Sequence, residues 1–155
     1  MPFWLLVGIS LIVFRGPWWA ALAGLAAWPA VEYAAHRAMH AVVKVSPRAY
    51  KKVHGVHHAY PDDLSHFAIP PVAVFAIAFL LAAGLWALGL PLSALGGLLV
   101  ALVAYDAAHL AAHGVIPFPF AKAIARRHAK HHKNARVNLG VTTPIMDIAV
   151  GTEAP

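Results

Sequence analysis

The sequence predicts an all-α integral membrane bundle of about four transmembrane or membrane-embedded helices, with a cytoplasmic helical cap that carries a histidine-rich dinuclear metal site. Three observations predict it. The 155 residues are 61% hydrophobic and only 12% charged, with a mean hydropathy of +0.67, where soluble domains are about half apolar and a quarter charged. The apolar residues collect in four stretches separated by Pro, Gly and basic residues. Ten of the eleven histidines fall into four groups at two repeated spacings.

The length suits one domain spanning 1–155. Phe3–Phe14 is the first apolar stretch, short for a crossing that needs about 20 residues. It has neither a basic n-region nor a small-residue cleavage site, so it reads as retained structure rather than a signal peptide. Arg15-Gly-Pro-Trp-Trp then breaks the chain with aromatics of the interfacial kind. A second helix runs from Trp18 to about His40, a third over Phe67–Leu90, and a fourth from Leu92 to about His113. Leu90-Pro91 is the stop between the last two. A polar segment, Val43–His66, links the second and third. After "GVIPFPF" comes a basic helix over Ala121–Lys133, then a mixed tail.

Charge fixes the orientation. Eleven of the twelve Lys and Arg residues, from Arg37 to Arg136, accompany the histidine-bearing ends of the second and fourth helices. The third and fourth helices form a there-and-back hairpin, so those ends share one face, and the positive-inside rule makes that face cytoplasmic. The net charge of +6 is thereby used, and a nucleic-acid partner is not implied. The absence of cysteine excludes disulfides, thiolate zinc sites, iron–sulfur clusters and a cysteine nucleophile in this chain.

His36 and His40 are four apart, as are His109 and His113; His54, His57 and His58 repeat the spacing of His128, His131 and His132. On a helix such residues share a face and can close on an ion from one side. Ten imidazoles exceed what one ion takes and suit two, with four or five each. Imidazole serves zinc, copper, iron and nickel alike. Few carboxylates are present to offset the ions' charge, which favours a redox pair that binds O2 over a hydrolytic site. Glu32, one turn before His36, and Asp106, three residues before His109, are candidates to accept a ligand imidazole's free N–H. His66 stands outside the four groups and is a further candidate ligand or ligand partner. Tyr33, Tyr60 and Tyr105 are candidates to line the site, with interfacial packing the favoured reading of each.

The ordered motifs "EYAAHRAMH", "HGVHHAYPDD" followed by "IPP", "YDAAHLAAHG", "RRHAKHHKN" and "LGVTTPIMDIAVGT" resemble the fatty acid hydroxylase/sterol desaturase superfamily over residues 31 to 152, and within it the fatty acid (sphingolipid) 2-hydroxylase branch. The resemblance implies a membrane monooxygenase. It would use two iron ions, O2 and external electrons to hydroxylate an unactivated C–H bond of a lipid acyl chain, of a fatty acid or a sphingolipid. Its ligands map onto His36, His40, His54, His57, His58, His109, His113, His128, His131 and His132. Zinc can replace iron in overexpressed protein. "HRAMH" has three residues between its histidines where the 2-hydroxylases have four, as in sterol-type members. No cytochrome b5 segment is found, which implies a separate donor of the cytochrome b5 or ferredoxin type. The resemblance also makes the tail a segment that closes over the metal-bearing cap, with Asp147 pairing with a basic residue or a ligand histidine. Two other readings stand beside it: a carotenoid or sterol hydroxylase or desaturase on the same scaffold, and a non-catalytic metal-binding membrane protein. A transporter would hold its ions near the bilayer midplane, whereas these histidines lie at helix ends.

Overall fold

A computed structural model describes residues 2–61, 63 and 71–154. His66 and residues 67–70, where the sequence places the start of the third helix, lie outside the described residues. Among the described residues there are helices and turns and no strands. The helices are α1 (Pro2–Phe14), α2 (Trp18–Ala41), α3 (Pro47–Tyr50), α4 (Val56–Ala59), α5 (Pro71–Ala87), α6 (Ser93–Ala112), α7 (Ala121–Lys133) and α8 (Ile145–Val150). A 3₁₀ turn over Val42–Lys44 follows α2, and a π-helical turn over Lys51–Gly55 joins α3 to α4.

Local chemistry sets the boundaries. α1 ends at Arg15-Gly16, where Gly16 has φ +150° and a Cβ would stand 2.8 Å from Ser93 Oγ, so only glycine fits. Ser46 caps α3 by accepting from the Ala49 amide at 3.2 Å, with Pro47 at the first helical position. α5 stops at Ala87, earlier than the expected Leu90. Gly89 is left-handed at φ +66°, and the Leu90 amide reaches back to the Leu85 carbonyl at 2.8 Å. α6 closes in the same way: Gly114 is left-handed and the Val115 amide bonds the Leu110 carbonyl at 2.9 Å, which leaves His113 just past the helix. α7 occupies the expected Ala121–Lys133.

The chain forms two compact units, Met1–Trp28 with Pro70–Ala104, and Pro29–Ile69 with Tyr105–Pro155. α2 and α6 each contribute to both. Pro29, inside α2, lacks the N–H that would bond the Leu25 carbonyl, and it lies where the units divide.

In the first unit, small residues let backbones approach closely. A Cβ on Gly97 of α6 would fall 2.0 Å from the Ala21 carbonyl oxygen of α2, and one on Gly24 of α2 would fall 2.0 Å from that of Ala94. Gly96, beside Gly97, meets α1, where a Cβ would lie 2.7 Å from the Gly8 carbonyl oxygen. α6 therefore seats α1 and α2 through adjacent glycines, the close packing common between membrane helices. Trp4 and Phe75 pack edge-on at 4.6 Å. The outer surfaces of α1 and α5 are apolar, with Leu6, Val13, Val72, Phe79, Leu80 and Trp86 each more than 60% exposed. Among the described residues, one helix, α6, is long and apolar enough to cross a membrane; α1 and α5 are shorter apolar helices.

In the second unit the interior is polar. Glu32, His36, His54, His57, His109, His128, His131, Asn138 and Asp147 are buried with Tyr33, Ala108, Ala111, Ile124, Leu139 and Val141. Burying so many polar groups is costly unless each is bonded or paired, and the site accounts for that cost.

Candidate metal centre

All ten grouped histidines lie in the second unit, and they form two sets of five. His36, His40, His54, His58 and His131 make one; His57, His109, His113, His128 and His132 make the other. Within each set the facing nitrogens all lie within 4.8 Å of one another.

Helix geometry produces this sorting. His36 and His40 are one turn apart on α2 and go to the first set; His109 on α6 and His113 just beyond it go to the second. Each three-histidine segment divides. His54 and His58, four residues apart, serve the first set while His57 serves the second; His128 and His132 serve the second while His131 serves the first. Successive residues on a helix point about 100° apart, so adjacent histidines cannot aim at one ion as well as the i, i+4 pair does. The two sets are thus related by an exchange of roles, and between them the rings of His58 and His132 stack at 4.4 Å.

The π-helical turn and Gly55 shape the first set. A Cβ on Gly55 would meet the Tyr50 ring at 2.7 Å; without one, the ring lies against the turn and its hydroxyl stands 3.4 Å from His40 Nδ1. π turns often mark such functional sites.

The donor set fits metal ions. His128 Nε2 lies 3.0 Å from His109 Nε2, 2.9 Å from His113 Nε2 and 2.9 Å from His132 Nε2. In the first set, His54 Nε2 lies 3.0 Å from His36 Nε2 and 3.1 Å from His58 Nε2. A nitrogen carries at most one proton, so hydrogen bonds cannot satisfy three such neighbours at once. Two metal–nitrogen bonds of about 2.1 Å at a right angle place their nitrogens about 3.0 Å apart, which is the spacing found. Two outer nitrogens of the first set agree. His36 Nδ1 donates to the Leu139 carbonyl at 2.6 Å and His131 Nδ1 to the Val137 carbonyl at 2.9 Å, which leaves each Nε2 with a bare lone pair facing its set.

Electrostatics keep the rings neutral. Burial, with repulsion from neighbouring imidazoles, lowers His132 to about 4, His57 to about 3 and His58 to about 2, and it lowers His54 and His128 as well. Burial also lowers His131. Metal ligation requires the neutral ring, so the site is ready for cations near neutral pH.

The tail supplies the outer support. Asp147, with none of its surface exposed, accepts the amides of Leu139 and Gly140 at 2.8 Å each, the Thr152 hydroxyl at 2.8 Å and Arg127 Nη2 at 3.1 Å. It therefore holds the stretch of chain whose Leu139 carbonyl orients His36. Of the alternatives for Asp147, the basic residue Arg127 is the partner found here. Glu32 accepts the amides of Val141 and Thr142, the latter at 3.0 Å, and the Thr142 hydroxyl, so it grips the same segment from α2. Asn138, left-handed at φ 51°, ties the segment to the C-terminal residues through the Ala154 amide at 2.9 Å. Asp106 is buried on α6, three residues before His109. Tyr33 and Tyr105 are buried in the same unit, and Tyr60 is exposed. The roles of the Leu139 and Val137 carbonyls escape sequence reasoning because a backbone acceptor has no side-chain signature.

Fold and site together define an all-helical protein with paired five-histidine groups suited to metal. The chain belongs to the fatty acid hydroxylase family, whose model matches residues 21–152. This is the family indicated by the motifs. A dihydroceramide fatty acyl 2-hydroxylase of Arabidopsis thaliana is 31% identical over 137 residues, 83% of this chain and 58% of the relative. A ceramide very long chain fatty acid hydroxylase of Saccharomyces cerevisiae is 29% identical over 139 residues, 83% of this chain and 36% of the relative. The hydroxylase domain visible in a structure of full-length Scs7p superposes with a TM-score of 0.79 at 26% identity, covering 99% of this chain and 63% of that one. The chain thus spans between about a third and two thirds of the relatives it matches.

Proposed function

We propose that residues 1–155 act as a single membrane-embedded hydroxylase domain that uses O2 to hydroxylate an unactivated C–H bond in the acyl chain of a fatty acid or of a ceramide-type sphingolipid. The observation that carries this reading is the convergence of ten histidine ring nitrogens into two five-membered sets, in a chain of the fatty acid hydroxylase family. Two iron ions are the proposed occupants, one for each set; when bound they supply the O2 chemistry and the redox capacity that no side chain here has.

The chain's own residues do the rest. The imidazoles stay neutral because they are buried, so their lone pairs are available without competition from protons. Leu139 and Val137 fix the tautomers and ring planes of His36 and His131. Asp147 and Glu32 fix the segment carrying Leu139. His36 and His109 are about as buried as any residue in the unit, which keeps bulk water from their own rings. The net reaction consumes the lipid, O2, two electrons and two protons and yields the alcohol and water. The electrons come from a separate carrier of the cytochrome b5 or ferredoxin type. The exposed cationic side of α7, with Arg126, Lys130 and Lys133, suits an acidic carrier.

The exposed apolar surfaces of α1 and α5 support burial of these helices in lipid, because exposed apolar area of this extent is unfavourable in water. α6 is long and apolar enough to cross a bilayer, and its His109 lies near its C-terminal end. The Lys and Arg residues accompanying the histidines support a cytoplasmic location for the metal site.

The decisive experiment supplies membranes carrying the protein with reductant and ¹⁸O2 and analyses acyl chains by mass spectrometry. Hydroxylated lipid bearing the heavy isotope, together with two iron ions per chain, is the expected result. Unlabelled product, or none from iron-replete reduced protein, would reject the reading.

A further inference from the structure

The second unit has a recess of about 580 Å³ that opens beside His40 of the first histidine set. Its volume is that of a small-molecule site, where about 300–1,000 Å³ is usual. Its wall is mainly apolar, from residues such as Val43 and Leu139, and three cations stand around it: Arg37, Lys44 and Arg136. No carboxylate lines it, and among the described residues none of the three cations meets one. Arg37 is held in place, its Nη1 donating to the Tyr33 hydroxyl at 3.1 Å, while that hydroxyl also lies 3.2 Å from Thr152 Oγ1.

Three unpaired cations around one concavity repel each other, and an anion relieves that repulsion. The apolar wall rewards an alkyl segment attached to the anion. A folded protein partner needs a broad surface of roughly 800 Å² per side rather than a recess of this size. We propose that this recess binds the anionic end of an amphiphile, a carboxylate or phosphate carrying an alkyl chain, and so recognises the charged terminus of the lipid next to the metal centre. The proposal rests on the acyl-lipid reading for its alkyl part and assigns a charge to the substrate class.

Binding is measured without O2 or reductant, on metal-loaded protein in phosphatidylcholine nanodiscs, with partitioning into empty nanodiscs subtracted. The probes are dodecyl phosphate, dodecanoate, neutral dodecanol and inorganic phosphate. Lys44→Gln/Arg136→Gln changes two exposed side chains, and Lys44→Arg/Arg136→Lys keeps their charge. The neutralised variant is expected to weaken both anionic amphiphiles at least about 10-fold, with dodecanol unaffected and the charge-preserving variant within about 3-fold of the parent. Equal binding of dodecyl phosphate to parent and neutralised variant would overturn the proposal. Inorganic phosphate binding as tightly as dodecyl phosphate would overturn it in favour of a free-anion site. Loss of an acidic ferredoxin's binding in the neutralised variant, with dodecyl phosphate unchanged, would overturn it in favour of protein docking. Intact discrimination among the probes in protein that forms no hydroxylated product supports this site and rejects the hydroxylase reading alone.

Discussion

His57 and His58 are adjacent in the chain and belong to different five-histidine sets, His57 with His109, His113, His128 and His132, and His58 with His36, His40, His54 and His131. Their ring centroids are 5.9 Å apart with planes at 82°. One short helix thus serves both sets, and removing either residue injures one of them first.

Replacing His57 by Ala is expected to leave about one equivalent of metal per chain, held by the first set, and replacing His58 by Ala about one held by the second. Either change should lower hydroxylation by at least about 100-fold, given that even outer partners of ligands are worth about 10–100-fold. Elemental analysis beside a product assay checks both. Two full equivalents in either variant would remove that histidine from the ligand set.

Asp147 holds the Leu139 and Gly140 amides and pairs with Arg127. Asp147→Ala would leave buried donors without their acceptor. A stability loss of about 3 kcal/mol and a metal affinity lower by about 10–100-fold are expected. Asp147→Asn keeps an oxygen for part of this network and should lie between. Thermal melting and metal titration of the two variants test the order; wild-type behaviour of Asp147→Ala would reduce the residue to a bystander.

The glycines of α6 give a prediction independent of metal. Gly97→Val brings a side chain into the Ala21 backbone and should sharply reduce folded yield, as should Gly24→Val against Ala94. Gly84, on α5, has open space within 4 Å of where a Cβ would stand, so Gly84→Ala should be neutral or stabilising by about 0.5–1 kcal/mol. Size-exclusion profiles and melting curves in detergent compare the three. A well-folded Gly97→Val would contradict the close helix approach.

Acid should weaken the site in a defined window. In the unfolded chain a histidine takes up a proton near pH 6.5. In the fold His132 waits until about 4, His57 until about 3 and His58 until about 2. The unfolded state therefore binds more protons as pH falls from 6.5, and stability, full above that value, declines toward pH 4. Melting temperature of metal-free protein between pH 8 and 4 reads this directly. A rise in melting temperature on acidification would contradict the buried neutral imidazoles.

Much of this protein is legible in its sequence. The apolar runs, the Pro and Gly breaks and the basic helix Ala121–Lys133 are local properties, governed by composition and by spacing along a single helix. The spacing of the histidines likewise marks the candidate ligands before any fold is known. What sequence does not carry is the partition of those ligands. Periodicity places His54, His57 and His58 broadly on one side, yet the 100° step between neighbours sends His57 to one set and His58 to the other only once α2, α6 and α7 stand around them. The early stop of α5 comes from Gly89 rather than from Pro91, because a left-handed residue ends a helix before a proline need do so. The hydrogen-bond acceptors that orient His36 and His131 are main-chain oxygens, identical in every residue, and Leu139 lies 103 positions from His36. Sequence by itself determined the helices, the donor type and the number of candidate ligands. Tertiary structure alone decided which nitrogens meet and what holds their outer faces, because such contacts depend on distances between segments far apart in the chain.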